Sequence, residues 1–418
     1  MTALDTTARS PLAIGRSAAA AGTLPSDAPP PARLLFALLR RLDQGELVVH
    51  TPAGTTHHFG PGDDAAGRGE FIFRDWRLAR EILTGGDVAF AEAYMEGRWD
   101  TPDLTALLTV LARNHAALEL AFYGRWWQQL VFRLKHWARA NTRRQARKNI
   151  VAHYDLGNDF YQRWLDPTMT YSSALFDGDL RQPTAAAQTA KYRRILAQLA
   201  LPPGAHILEI GCGWGGFAEV AARAGYRVTG LSLSDAQTAF ARERIARAGL
   251  GDRVQFHLRD YRDETGRYDG VASIEMFEAV GEKWWPTYFA AVRNALATGG
   301  RACIQTITIA DARFDRYRSQ SDFIQQHIFP GGMLASPARF RQAAGQAGFA
   351  VADVRDFGLD YAETLKRWLS AFDRDVAGVR AQGFPERFIR CWRFYLAYCA
   401  AGFHSGSTDV SHYTLVAR

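Results

Sequence analysis

The stretch of this sequence with the clearest chemical content is residues 205–216, Ala-His-Ile-Leu-Glu-Ile-Gly-Cys-Gly-Trp-Gly-Gly. An apolar run of β character ends in Gly211, Gly213, Gly215 and Gly216, and the helical pattern Phe217 to Ala224 follows. A strand that turns into a helix around such glycines lets backbone approach a ligand as a Cβ would not. The free N–H groups of the helix start then face something polar or anionic. Glu209, at the strand's end, is placed to anchor the loop or to meet a cationic group. By itself the loop also fits a dinucleotide site or a ligand-free turn.

Around this loop, residues 200–310 alternate strand and helix patterns. The expected strands are His206–Ile210, Arg227–Ser232, Val254–His257, Gly270–Ile274 and Arg301–Ile307, with Gly225, Gly249 and Gly299-Gly300 as helix stops. Alternation of this kind predicts an α/β fold, a mostly parallel doubly wound sheet, whose ligands lie at the carboxyl ends of its strands. The glycine loop, Ser232 to Ser234 with Gln237, Asp260-Tyr261, Glu275 with Glu278, and Gln305 to Ile307 all follow strands, so they share one rim.

At 418 residues the chain exceeds one comfortable core. Residues 1–32, rich in Ala, Ser, Thr and Pro without a continuous apolar run, read as a disordered tail rather than a secretory signal. Residues 33–118 read as a small α+β domain and 151–418 as the domain carrying the glycine loop. Between them, residues 119–150 have no acid after Glu119, while Arg133, Lys135, Arg139, Arg143, Arg144, Arg147 and Lys148 interleave with Trp126, Trp127 and Trp137. This is the composition of an interfacial helix on an anionic membrane, or of an interdomain helix with solvated arginines. The net charge of +7 agrees with an anionic partner, and no nucleic-acid reader motif accompanies it. Four scattered cysteines, Cys212, Cys303, Cys391 and Cys399, suit a reducing compartment and suggest neither disulfides nor a metal site. No apolar run is long enough to span a bilayer.

Several stretches together resemble the cyclopropane-fatty-acid-phospholipid synthase family. They are residues 153–161 (His-Tyr-Asp-Leu-Gly-Asn-Asp-Phe-Tyr), 166–173 (Asp-Pro-Thr-Met-Thr-Tyr-Ser-Ser), the glycine loop, 276–281 (Met-Phe-Glu-Ala-Val-Gly) and 328–332 (Ile-Phe-Pro-Gly-Gly). Residues 91–99 resemble its N-terminal domain, and the likeness runs from about residue 35 to the C-terminus. The glycine loop itself is worded like the S-adenosylmethionine loop of class I methyltransferases. The resemblance implies S-adenosylmethionine as cosubstrate and methylation of a cis double bond in an unsaturated acyl chain, usually within a membrane phospholipid. It implies a cytoplasmic enzyme, peripheral on the inner face of the membrane; a homodimer is implied by the family alone.

An alkene is a weak nucleophile, so positioning and water exclusion carry such a reaction, and aromatic faces stabilise the carbocation that forms. Tyr154, Phe160, Tyr171, Phe277, Tyr288, Tyr361 and Trp368 are candidates for that ring, with His153 to orient the loop or contact substrate. In bacterial members the base is a bound bicarbonate, held by a Cys, a Glu, a His, a Tyr and a backbone amide. The Glu, Tyr and amide correspond to Glu278, Tyr361 and Ile307, whereas the Cys and His positions read Ser173 and Gln305. Both replacements still donate hydrogen bonds, so an altered bicarbonate site is expected. For the cosubstrate, Tyr171 and Ser172 would flank the methionine end over Gly211, Gly213, Gly215 and Gly216. Ser232, Leu233 and Gln237 would stand in for an acidic ribose ligand, and Asp260 and Tyr261 would bracket the adenine. Cys399 corresponds to a cysteine once proposed as nucleophile, although the chemistry needs no covalent step. Residues 311–329, 337–348 and 362–380 would roof an acyl tunnel. Two other readings are a small-amine N-methyltransferase and an inactive lipid-binding paralogue. The basic Trp-rich segment and N-terminal domain argue against the first, and the intact loop with Glu278 and Tyr361 argues against the second.

Overall fold

The computed structural model describes residues 28–62, 67–122 and 156–418. The tail, His153, Tyr154 and nearly all of the basic Trp-rich segment lie outside them. The N-terminal unit holds α1 (Pro30–Leu39), β1 (Glu46–His50), β2 (Thr56–Phe59), β3 (Arg68–Phe73), α2 (Arg77–Met95), β4 (Trp99–Asp100), α3 (Leu104–Arg113) and α4 (His115–Phe122). Its sheet runs β2-β1-β3-β4, with β1 antiparallel to β2 and parallel to β3. Helix α2 is kinked at Gly86. Helix α1 starts at Pro30, and Ala28 and Ala32 are buried in the core. The expected tail boundary at residue 32 therefore falls too late.

The second unit contains α5 (Asn158–Tyr161), α6 (Thr184–Leu199), β5 (His206–Ile210), α7 (Gly216–Arg223), β6 (Arg227–Ser232), α8 (Asp235–Arg247), β7 (Val254–Leu258), β8 (Tyr268–Ile274), α9 (Trp285–Ala295) and β9 (Leu296–Ile309). Beyond these come α10 (Asp311–Tyr317), a π turn (Ile324–Ile328), α11 (Pro337–Gln346), β10 (Phe349–Asp356), α12 (Gly358–Arg374), α13 (Val376–Ala381), α14 (Glu386–His404) and β11 (Thr408–Ala417). The seven strands lie in the order β10-β11-β9-β8-β5-β6-β7. The five strands read from sequence are the parallel part. Strand β11 inserts antiparallel between β9 and β10 and sets His412 opposite Gln305. The sequence reading had no strands after residue 310, because both come after a long helical stretch rather than in βαβ alternation.

The two units share one apolar core. A continuous cluster of buried side chains runs from α1, α2 and α3 through α14 and α12 to Trp214 beside the glycine loop. Trp99 is fully buried, stacks on Phe90 at 4.3 Å and donates from its indole to Phe90 O at 2.8 Å. Phe394 of α14 packs edge-on against Phe90, and Arg390 lies over the Tyr94 ring and donates to Trp99 O at 3.0 Å. Burying a side chain such as Phe394 contributes about 1.5–3 kcal/mol, so this helix fastens the N-terminal unit across the site. Among the described residues no helix is long and apolar enough to cross a membrane.

Candidate active site

A cavity of about 520 Å³ opens at the carboxyl ends of β5, β6, β8 and β9 and runs under α10, the π turn and α14 to Leu108 and Leu111 of α3. That volume is in the range of small-molecule sites. Its floor is the glycine loop. Gly211, Gly213 and Gly215 all have positive φ, but they face different ways. A Cβ on Gly213 would meet nothing within 4 Å, so that position opens into the cavity. A Cβ on Gly215 would meet Ala241 and Phe256 at 3.1 Å. Gly215 thus serves helix packing and does not line the cavity, which corrects its assignment as a cosubstrate contact.

Residues 168–176 cross above this floor as an irregular strap, and one face of α6 holds it. Tyr192 hydrogen-bonds Thr170 at 2.9 Å, Gln188 donates to Ser172 O at 2.9 Å, and Lys191 Nζ donates to Ser172 Oγ at 2.5 Å. Tyr171 reaches Tyr395 of α14, hydroxyl to hydroxyl at 2.6 Å. On the opposite wall, Ser232 Oγ accepts Ser234 N, and Ser234 caps α8 by accepting Gln237 N. Ser232, Leu233, Gln237, Asp260 and Tyr261 all line the cavity. Asp260 is also engaged as a cap. Its carboxylate accepts from Arg262 N at 2.9 Å and pairs with that guanidinium at 2.6 Å.

Two of the donors expected around bicarbonate, Gln305 and Tyr361, converge with the Ser173 backbone N–H on a carboxylate of the chain itself, whereas the Ile307 amide goes to Glu278. Glu275 follows β8 with φ of 49°, a left-handed conformation costing a non-glycine residue roughly 1–2 kcal/mol. Its Oε1 accepts Ser173 N at 2.8 Å and Gln305 Nε2 at 2.7 Å, and its Oε2 accepts the Tyr361 hydroxyl at 2.6 Å. Burial pushes the Glu275 carboxyl up, while Lys191 and these donors pull it down. Ser173 and Gln305 do not line the cavity; Glu275 does. Ser173 Oγ is turned away to Ala174 O at 2.9 Å. The two replacements hence stand behind Glu275, which corrects their expected place in direct contact with an anion. Gln305 is itself oriented by His412, whose Nε2 lies 2.8 Å from Gln305 Oε1. Because Gln305 spends its amide N–H on Glu275, its Oε1 accepts from His412, which fixes the Nε2–H tautomer of a neutral imidazole. Burial drives the His412 pKa well down.

Glu278 behaves differently. Its Oε1 accepts Ile307 N at 2.5 Å and Thr306 Oγ1 at 3.0 Å, while Oε2 is buried without a partner. Burial, then the nearby Glu275 charge, pushes it up to about 8. Glu209 likewise has a partnerless buried Oε2, and burial raises its pKa well above the usual carboxylate range. Both residues line the cavity. Two orphan carboxylate oxygens beside open backbone at Gly213 fit a cosubstrate that carries an ammonium and a sulfonium.

Phe277 is fully buried among Trp285, Tyr288, Phe289 and Phe340 on the far side of the loop. It is a core residue, not a substrate contact, and Tyr288 shares that role. Phe160 and Trp368 are core as well, so of the described candidate aromatics only Tyr171 and Tyr361 line the cavity. Tyr395, Tyr398 and Phe403, unforeseen because α14 was not expected as a lining helix, complete the aromatic wall. Cys399 lies in this wall, and burial raises its thiol pKa above the ordinary value. The two residues whose weight the sequence reading missed are Glu275 and Lys191. Glu275 was legible only as a rim acid. Lys191 sits at helical spacing between the buried Ala187 and Ile195, and a lysine on an apolar stripe was the available signal.

The sheet with its terminal antiparallel strand, the glycine loop after β5 and the converging rim define an S-adenosylmethionine-dependent methyltransferase of class I. Residues 141–413 match the family model described as mycolic acid cyclopropane synthetase, and the chain belongs to that family. It is 42% identical over 364 residues to tuberculostearic acid methyltransferase of Mycobacterium tuberculosis, covering 83% of this chain and 82% of that protein. It is 35% identical over 338 residues to cyclopropane-fatty-acyl-phospholipid synthase of Escherichia coli, covering 78% and 82%. Among solved structures, mycolic acid cyclopropane synthase CmaA1 with SAH and CTAB matches with a TM-score of 0.60 at 31% identity, over 64% of this chain and 97% of that one. A coclaurine N-methyltransferase, at 18% identity and a TM-score of 0.62 over 78% and 99%, shares the fold.

Proposed function

We propose that this enzyme transfers the methyl of S-adenosylmethionine to a cis double bond of an unsaturated fatty acyl chain in a membrane phospholipid, and that Glu275 then removes the proton. The observation that carries the reading is the donor set Ser173 N, Gln305 and Tyr361 closed around Glu275 at the cavity wall. Donors of this kind favour the ionised form of a buried carboxylate, which makes it a general base. Bicarbonate, which the resemblance assigns to this place, is then not needed. Methyl addition to the alkene leaves a carbocation on the neighbouring carbon, flanked by the Tyr171, Tyr361 and Tyr395 side of the cavity and screened from water. Glu275 takes a proton, and the C–H electron pair goes to the cationic carbon. Loss from the new methyl closes a cyclopropane; loss from an adjacent chain carbon gives a methyl-branched alkene; and if a hydride first shifts from the methyl-bearing carbon to the cationic carbon, loss from the methyl gives a methylene branch.

The net charge of +7 and the basic segment 119–150 support acyl delivery from an anionic membrane face, with the enzyme peripheral on its cytoplasmic side. The test is mass spectrometry of lipids after incubation with S-adenosylmethionine and vesicles of cis-unsaturated phospholipid, with and without bicarbonate. The expected result is a gain of one CH2 per acyl chain at equal rates in both buffers. No gain while the cosubstrate still binds refutes the lipid reading. A rate that collapses without bicarbonate refutes the role of Glu275.

A further inference from the structure

Lys191 is a charged residue with no exposed surface in the interior of the second unit. Its Nζ donates to Ser172 Oγ at 2.5 Å and lies 4.9 Å from the Tyr192 ring centroid. Among the described residues it forms no direct salt bridge. An ammonium stripped of water without a carboxylate in contact is costly, and nothing in the packing of α6 calls for one. Its position explains it. Ser172, which it grips, precedes Ser173, whose N–H holds Glu275 Oε1 at 2.8 Å. The two charged groups therefore engage adjacent residues of the strap.

We propose that Lys191 is a positioning residue that acts through Glu275: held behind the strap by Ser172, its ammonium keeps the Glu275 carboxylate ionised between turnovers. This rests on the reading of Glu275 as the base. Burial pulls Lys191 down to about 7, and Glu275 is the charge that opposes this most. Reciprocally, Lys191 is the largest influence holding Glu275 down against burial. The other groups facing the pair are few. Glu278, after β8, feels the Glu275 charge, Tyr361 of α12 donates to Glu275, and Cys399 of α14 feels its charge as well. Asp166 ahead of the strap and Glu209 of β5 support the ammonium, and the neutral His412 of β11 is repelled by it. None of these supplies a second cation to Glu275.

A structural role for Lys191 predicts a uniform loss of rate; an electrostatic role predicts a shift in pH dependence. Removing the ammonium raises the Glu275 pKa, so the base is protonated over more of the range. In single-turnover methylation of cis-unsaturated phospholipid vesicles at saturating S-adenosylmethionine, Lys191→Met should move the acid limb up by at least about one pH unit. That is about a tenfold loss on the acid side of the profile that recovers as pH rises. A loss of equal size at every pH, or none, overturns the inference. A second measurement needs neither turnover nor a stable Lys191 variant: chemical unfolding of wild type and Glu275→Gln from pH 6 to 9. A lysine whose folded pKa lies below its unfolded value makes stability rise with pH. Loss of the Glu275 charge lowers the folded value further, so in Glu275→Gln the rise in stability should already be under way below pH 7, where wild type is still level. Parallel curves overturn the coupling. Wild type that never methylates lipid refutes the function proposed above, and the unfolding curves still decide whether the two charges are linked.

Discussion

The cosubstrate floor and the carboxylate ring meet in one cavity but are built in opposite ways. The floor comes from one continuous stretch, β5 through the start of α7, and works through backbone: open N–H groups and missing Cβ atoms. The ring draws one backbone N–H of the strap and single side chains of β9 and α12 onto one carboxylate, with a sixth-helix lysine and a last-strand histidine behind it. A floor of that kind fails by losing affinity, because its atoms only have to be approached. A ring fails by losing rate, because its atoms set where a proton goes.

The largest expected effect is in the ring. Glu275→Gln keeps the shape but turns one accepting oxygen into a donor and abolishes the base, so turnover should fall by about 10²–10⁴-fold, while S-adenosylmethionine affinity measured by calorimetry changes by less than about tenfold. Near wild-type turnover would return the proton transfer to a bound anion. The matched floor variant is Gly213→Ala. Its Cβ meets no protein atom within 4 Å, so the cost to stability is the left-handed backbone, roughly 1–2 kcal/mol. Its clash is with the ligand alone. Cosubstrate Kd should rise at least about tenfold, with single-turnover rate at saturation nearly unchanged. A variant that bound normally but turned over slowly would erase the distinction between the two regions.

Glu278 belongs to neither region cleanly, and pH separates its role. With its carboxyl pushed up to about 8, the free enzyme is largely protonated there at neutral pH, and binding a cationic cosubstrate favours release of that proton. Affinity should therefore rise with pH from 6 to 8, by up to about tenfold per unit, and level off above. Glu278→Gln should bind more weakly at high pH and show no such rise. A flat wild-type curve would mean that Glu278 Oε2 does not meet the cosubstrate's charge.

What the sequence disclosed follows the same division. The floor was legible because its information is local: strand, glycines and helix start occupy twelve consecutive residues, and the parallel strands around it alternate with helices. Ser173 and Gln305 were legible as departures from the family pattern, but not as a rearrangement. Their meaning depends on Glu275, which lies about a hundred residues from one and thirty from the other, and on a turn at φ of 49° that no spacing announces. Phe277 and Gly215 were misplaced for a related reason. Adjacent residues of a tight loop point to opposite sides, and only packing shows which side is cavity. Strands β10 and β11 were missed because the sheet grows at that edge by antiparallel insertion, outside the βαβ rhythm that exposed the other five.

The smallest expected effect is at Cys399. It lies in the aromatic wall beside Tyr395 and Tyr398, within reach of a developing cation, and its position in the chain invites a nucleophilic role. Burial argues against that, because it holds the thiol protonated, and the reactive form of a cysteine is the thiolate. Its remaining work is to fill space between the ring and the α14 wall with a small, weakly polar atom. Cys399→Ser should then change the single-turnover rate by less than about threefold and leave the pH profile in place, read with the same vesicle assay. A loss of a hundredfold or more would make the wall a reactive surface, and the separation of the binding floor from a ring centred on Glu275 would have to be redrawn to include it.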